Sequence, residues 1–431
     1  MKKKVTLSWV LYDFGNSAFA TTVMAAVLPV FYYDVAAVSV KENLAASYWG
    51  YSQSIAVLIV AVLAPILGAI SDYTAAKKKF LRFFAYMGMI ASVLLGFVGE
   101  GDYIFASLLL IIGTVGFSGG NIFYDAFLPE IANEQDIDKV SSAGFAWGYI
   151  GGGILLAINI LMILKYDWFG IPNATIASQV SFVSVGIWWF VFSIPLFRNI
   201  QEDKKQAIKR DRTYISIGFS RVVSTFRDLK QYKQLLIFLL AFWLYNDGVS
   251  TIIKMATIYG RDIGIGGNSL IVALLITQFV GIPCTFFFGW LANKISAKKA
   301  LTLSLYVYTG IVLLGYFMTS AIHFYLLAIC VGIVQGGAQS LSRSIYGRMV
   351  PENKHAEFFG FYGISSKFAA IFGPFLFAVV GQLTGSSRNG IVSLLVFFIG
   401  GIILLKFVNV EKGMKEAKKQ TIQSEVGVSL K

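Results

Sequence analysis

Trp9-Val-Leu-Tyr12-Asp13-Phe-Gly15-Asn16-Ser17 and Trp243-Leu-Tyr245-Asn246-Asp247-Gly248-Val-Ser250 each place an acid four residues after a tryptophan, inside a long apolar block. On either side of these stretches the chain repeats other features in the same order. Gly68-x3-Asp72-x4-Lys77-Lys78 is answered by Gly289-x3-Asn293-x4-Lys298-Lys299, Gly119-Gly120 by Gly336-Gly337, and Gly144-Phe145 by Gly360-Phe361. The offsets drift only as loop lengths would make them drift. Chance likeness of glycine-rich helices is the competing reading, and four anchors in conserved order and spacing argue against it. The chain is therefore read as two matching halves.

Composition sets the solvent. Apolar residues make up 56% of the 431 and charged residues only 14%, with mean hydropathy +0.69. A soluble domain carries roughly 25% charge, so a water-facing surface cannot be built from this chain. Twelve apolar blocks are long enough to approach or cross a hydrocarbon core of about 30 Å. They lie near 6–33, 47–72, 80–99, 103–126, 141–165, 176–197, 234–259, 268–293, 300–318, 322–346, 356–383 and 388–410. Each is expected to be a helix, because lipid offers no partner for an unpaired backbone amide. The first block follows Lys2, Lys3 and Lys4 but is too long for a signal-peptide core and carries Asp13 and Asn16, so it is read as a retained span.

The basic residues set the orientation. Thirty of the 36 Lys and Arg fall on the side that holds the amino terminus, and four on the other, with Lys254 and Lys367 inside spans. The positive-inside rule then puts both termini in the cytoplasm of a multi-pass cell-membrane protein. The net charge of +13 is topological and calls for no nucleic acid, although the basic 198–233 loop suits anionic lipid. The expected division is a six-helix half at 1–197, a cytoplasmic linker at 198–233, a second half at 234–410 and a disordered tail at 411–431.

Gly68-Ala-Ile-Ser-Asp72 followed by Lys77-Lys78-Lys79 resembles the loop between spans 2 and 3 of the major facilitator superfamily. The resemblance implies an all-α membrane protein of twelve transmembrane helices in two six-helix pseudo-symmetric halves, with Asp72, Lys77 and Lys78 as a cytoplasmic latch. Asn293 replaces the acid in the second copy, so a matching ionic latch is not expected there. The Trp9–Phe19 stretch, Asn121-x-x-Tyr124-Asp125-Ala-Phe-Leu-Pro129-Glu130, and Gly144-x3-Gly148-Tyr149-x-Gly151-Gly152 are similar to one subgroup. That subgroup is the autophagy-related vacuolar effluxer family with its bacterial "unknown major facilitator" relatives. The likeness covers nearly the whole chain and leans to the bacterial branch. Fungal members are described as exporters of amino acids from the vacuole, which implies a small polar solute here.

Few residues can carry chemistry. An ionisable group at mid-membrane costs about 2.5–3.5 kcal/mol on insertion scales, so such groups tend to mark water-filled paths. Asp13 shares a helix face with Asn16 and Ser17. It is read either as a proton or ammonium site or as a structural hydrogen bond. Asp247, with Asn246 beside it, is read as a coupling acid. Lys254, two turns on, either lines the same path or snorkels to the surface. Lys367 lies near mid-membrane and is expected to meet an acid or an anionic substrate. Asn121 and Asp125 share a face of span 4, and a gate of Asp125 or Glu130 with Arg343 competes with ordinary loop charge.

Cys284 and Cys330 lie in apolar blocks, and His323 and His355 stand alone, so neither a disulfide nor a metal site is suggested. There is no Walker sequence and no cluster of His, Ser and acids, and Gly260-x3-Gly264-x-Gly266-Gly267 has no strand before it. The expectation is a monomeric, cofactor-free secondary transporter, not an enzyme, whose partners are a small-molecule substrate, membrane lipids and a coupling proton. A lipid translocase and a non-transporting sensor or scaffold are the alternatives.

Overall fold

The computed structural model describes residues 2–40, 42–202, 231–265, 267–368 and 371–429. They are all-helical. The helices are α1 (Lys2–Ala18), α2 (Val27–Phe31), α3 (Glu42–Thr74), α4 (Lys77–Leu95), α5 (Tyr103–Ala126), α6 (Leu128–Ile131), α7 (Ile137–Leu164) and α8 (Ala174–Asn199). After the linker follow α9 (Lys233–Asp262), α10 (Gly267–Ile295), α11 (Ala297–Tyr316), α12 (Ala321–Met349) and α13 (His355–Phe368). The last four are α14 (Phe372–Thr384), α15 (Ser387–Ser393), α16 (Leu395–Phe407) and α17 (Val410–Ser429).

Among the described residues, ten helices are long and apolar enough to cross a membrane. The other two expected spans have a physical reason to fall short. Helix α4 opens with Lys77, Lys78, Lys79 and Arg82, which dilutes its apolar run. The block at 356–383 is two shorter helices, α13 and α14. The first span is continuous but changes pitch, with π-helical stretches at Phe19–Ala26 and Tyr32–Ala36.

The chain divides into two compact units, Met1–Asp125 with Trp147–Gly218, and Ala126–Ala146 with Phe219–Lys431. This division differs from the expected halves by residues 126–146. That segment contributes Asp138 to Arg348 at 2.6 Å and the Ser141 hydroxyl to the Ser340 carbonyl at 2.7 Å, both inside the second unit. In the first unit, the fully buried Trp189 of α8 lies edge-on or tilted against Tyr12, Phe19 and Phe117. Close helix approach comes from missing side chains: a Cβ on Gly151 would strike the Phe14 carbonyl, and one on Gly116 the backbone of Gly88.

The tail corrects one expectation. Residues 411–429 continue a helix instead of being disordered. Asn409 caps it by accepting from the Lys412 amide at 2.9 Å, and the Glu416 carboxylate accepts from the Gln234 amide at 3.1 Å. Gly413 and Ala417 are buried, and Gly413 lies against Met349. The segment is polar enough to read as solvated, but its small residues one turn apart give it a face that packs.

The loop after α3 and its repeat after α10 do the same structural work with different residues. In the first unit Asp72 and Lys77 pair at 3.2 Å, and Lys78 reaches the Ile200 carbonyl at the end of α8, at 2.5 Å. The Lys78 amide also donates to Glu202 at 2.7 Å, and Arg82 to the Phe197 carbonyl at 2.8 Å. In the second unit Asn293 turns back to the Gly289 carbonyl, and Lys298 caps the end of α16 through the carbonyls of Lys406 at 3.0 Å and Val408 at 2.7 Å. Where the acid is present, the first lysine pairs with it and the next one caps. Where asparagine stands in its place, the first lysine caps. A cation on the last carbonyls of a helix contributes about 0.3–1 kcal/mol. Lys298→Met is therefore expected to lower the unfolding temperature in detergent by a few degrees, and an unchanged melting curve would contradict the capping role.

Candidate functional site

Two clusters hold the intramembrane acids. In the first unit, Asp13 on α1 is half-buried and accepts from the Tyr124 hydroxyl of α5 at 3.2 Å and from the Ser17 hydroxyl at 3.5 Å. One turn on, Asn16, only 1% exposed, donates to the Asn121 side chain at 2.6 Å. Trp9 fixes the register: its indole donates to the Tyr124 carbonyl at 2.9 Å and stacks on the Tyr124 ring at 4.3 Å. Gly148 of α7 leaves room for the site, since a Cβ there would lie 2.6 Å from the Ser17 hydroxyl and 3.4 Å from Asp13. The structure thus brings Asp13, Asn16 and Ser17, which share one face of α1, together with Asn121 and Tyr124 of α5 and Gly148 of α7, a meeting of helices that the shared face does not itself predict.

In the second unit, Asp247 is 1% exposed and does something else. Its Oδ1 accepts from the Gly373 amide at 2.8 Å, the second residue of α14. Asn246 donates to the Ser366 carbonyl at 3.3 Å, in the last turn of α13. Two adjacent side chains of α9 therefore bond the backbone of α13 and of α14. An interrupted helix is tolerated at membrane depth when a neighbour re-satisfies the freed groups. A carboxylate at a helix N-terminus also suits the dipole. Thr251 bonds the Asp247 carbonyl at 2.7 Å, and a Cβ on Gly373 would strike Thr251 and come within 2.7 Å of Asp247. Gly373-Pro374 is the sequence signal for this break.

The remaining candidates fall as follows. Lys254 is exposed on α9. The backbone of Lys367 belongs to α13, but its side chain lies outside the described residues. Arg343, buried on α12, donates from Nε to the Ser141 hydroxyl at 2.9 Å and from Nη2 to the Ser141 carbonyl at 2.7 Å, and lies 4.2 Å over the Phe145 ring. Glu130 faces His355 Nδ1 at 3.3 Å. Among the described residues no group of three or more His, Cys, Asp or Glu is placed to hold a metal ion.

The sequence profile described as "Vacuole effluxer Atg22 like" matches residues 1–418. The chain belongs to the Atg22-like vacuole effluxer family. A Bacillus subtilis (strain 168) protein described as an uncharacterized MFS-type transporter, YxiO, is 40% identical over 415 residues, covering 96% of each chain. Autophagy-related protein 22 of Kluyveromyces lactis is 23% identical over 403 residues, 86% of this chain and 81% of that protein. Among solved structures, the Escherichia coli fucose:proton symporter FucP superposes with a TM-score of 0.69 at 14% identity, covering 95% of this chain and 98% of that one. The proton:xylose symporter XylE superposes at 0.70, also at 14% identity, over 97% and 98%. At that identity the likeness concerns the fold: this Atg22-like protein has the major facilitator fold. It is a multi-pass membrane protein and an MFS-type transporter.

Proposed function

We propose that this Atg22-like protein is a proton-coupled secondary transporter that exports a small polar solute, an amino acid, by alternating access of two six-helix halves. The supporting observation is the Asp13 cluster. A carboxylate inside the first span meets the hydroxyls of Tyr124 and Ser17, with the Asn16–Asn121 pair one turn away. Hydroxyl partners, which can donate or accept, steady a carboxyl group in either protonation state, which suits a group that must gain and lose a proton. Efflux follows the description carried by the family, and the amino-acid class follows the resemblance of the Trp9–Phe19 and Asn121–Glu130 motifs. The charge asymmetry supports a cell-membrane location with both termini cytoplasmic. Lys367 is the proposed cavity residue for an acidic partner or an anionic substrate group. Asp72, Lys77, Lys78, Asp125, Glu130 and Arg343 are proposed to act in gating.

The test uses purified protein in liposomes loaded with the twenty standard amino acids, with release followed under an imposed pH gradient. Asp13→Asn is expected to abolish gradient-driven release while leaving equilibrium exchange of labelled amino acids measurable. Gradient-driven release at the wild-type rate in the variant would sink the assignment of the proton to Asp13.

A further inference from the structure

Helix α5 carries a polar stripe that the Asp13 cluster does not exhaust. Ser107, Thr114, Ser118, Asn121 and Asp125 are spaced by seven, four, three and four residues. At 3.6 residues per turn these positions lie on one face, and at 1.5 Å per residue the stripe runs about 27 Å, close to the thickness of a bilayer core. Its direction is fixed at both ends. Asn121 meets Asn16 of α1 at 2.6 Å, and the Ser107 hydroxyl shares a hydrogen bond of 2.9 Å with Tyr32, at the far end of the same first span. Phe19 stacks on Phe117 at 5.5 Å between them, so the first span lies along α5 throughout. Opposite the stripe, Gly116 and Gly119 bring α5 against Gly88 and Phe84 of α4.

Between the two pinned ends the hydroxyls are orphaned. Thr114 is 2% exposed and Ser118 6%, and neither side-chain oxygen has a hydrogen-bond partner. The Asn16 amide oxygen, at the lower end, is also buried without one, as is the Thr22 hydroxyl within the π-helical stretch. A threonine or serine inside a helix ordinarily returns its hydroxyl to a carbonyl one turn back, as Ser92, Ser178 and Ser193 do in this unit. Buried polar groups that lack a protein partner are satisfied by internal water. The repeat does not reproduce the stripe. At the offset of 217 set by the Gly119 and Gly336 anchors, the corresponding residues of α12 are Phe324, Val331, Gln335, Ala338 and Ser342, and the Ser342 hydroxyl is bonded to Tyr245 at 2.6 Å.

We propose that the seam between the first span and α5 holds a file of water molecules joining the Tyr32–Ser107 end to Asp13, and that the coupling proton reaches Asp13 along it. The second clause rests on the proton-coupled reading above; the first does not. Thr114, Ser118 and Asn16 anchor the waters, each of which passes one proton on as it receives another. The titratable groups along the route are Tyr32 at its far end and Tyr12, Tyr124, Asp13 and Asp125 at its near end.

Hydroxyl-radical footprinting in 18O water tests the file without any substrate. Radicals formed from internal water should label buried Phe19 and Tyr124, while Tyr346, equally buried in the second unit with its hydroxyl on the Phe358 carbonyl, stays unlabelled. Thr114→Val with Ser118→Ala should lose the labelling of Phe19, and Thr114→Ser should keep it. Should the double variant fail to fold, Ser118→Ala alone is expected to reduce it. No labelling of Phe19 in the wild type would overturn the water file. Proton entry is read with a trapped pH dye in liposomes supplied with the twenty standard amino acids. The double variant should lose amino-acid-driven proton movement several-fold, and wild-type movement after loss of the label would overturn the route. Labelling without proton movement in the wild type would leave the file standing and overturn the coupling reading.

Discussion

Gly373→Ala is expected to yield little folded protein, and what folds should melt well below the wild type. The added methyl would occupy the place of the Thr251 hydroxyl and crowd the Asp247 carboxylate. Both are buried and committed, Thr251 to the Asp247 carbonyl and Asp247 to the Gly373 amide. Overpacking of this kind costs typically 1–3 kcal/mol. Displacing the carboxylate also orphans the first backbone amides of α14, at roughly 1–3 kcal/mol for a buried donor. Substitutions at Asp247 separate the two contributions. Asp247→Ala removes the acceptor and should destabilise by the second amount alone. Asp247→Asn keeps an oxygen for the Gly373 amide and should stay close to wild type in thermal unfolding. If Asp247→Asn is as unstable as Asp247→Ala, the acceptor role at the head of α14 is wrong.

Arg348→Met is the second large effect. Asp138 is 3% exposed, and its Oδ2 takes a 2.6 Å bond from Arg348, whose side chain keeps 18% of its surface. Removing one member of a buried pair leaves the other charged and dry, at about 3–5 kcal/mol, and the partial exposure of Arg348 puts the expectation near the lower end. The double variant Asp138→Asn, Arg348→Met removes both charges and should recover most of the loss. A double-mutant cycle in detergent reads the coupling directly. Additive losses would show that the two groups do not depend on each other, and that residues 126–146 are held to α12 by other contacts such as Ser141 to Ser340.

Asp13 and Asp247 look equivalent in sequence, each four residues after a tryptophan in its half, but the structure gives them different work. The sequence shows depth and helix face, so Asp13, Asn16 and Ser17 group on one helix, and Asn121 and Asp125 on another, before any coordinates. What surrounds a side chain from other helices is not written in its own neighbours. Asp247 was read as a coupling acid because the break it serves lies 126 residues away. A proline by itself is no guide to that break, since Pro65, Pro195 and Pro283 all sit inside unbroken helices, and the Gly373-Pro374 pair is what sets it apart. The α5 stripe was legible in its spacing. It was passed over because serine and threonine in apolar helices usually bond their own backbone. The tail misled for the opposite reason: its composition is that of a solvated segment, and only Gly413 and Ala417 show a packing face.

Proton coupling shows in the change in internal pH when amino acids cross the membrane of a liposome holding the purified protein. With a trapped pH dye and the twenty standard amino acids supplied as a mixture, the wild type should move protons in step with solute. Asp13→Asn should move solute by exchange but carry no protons. Solute movement with no proton movement in the wild type, or equal proton movement in both proteins, would contradict it.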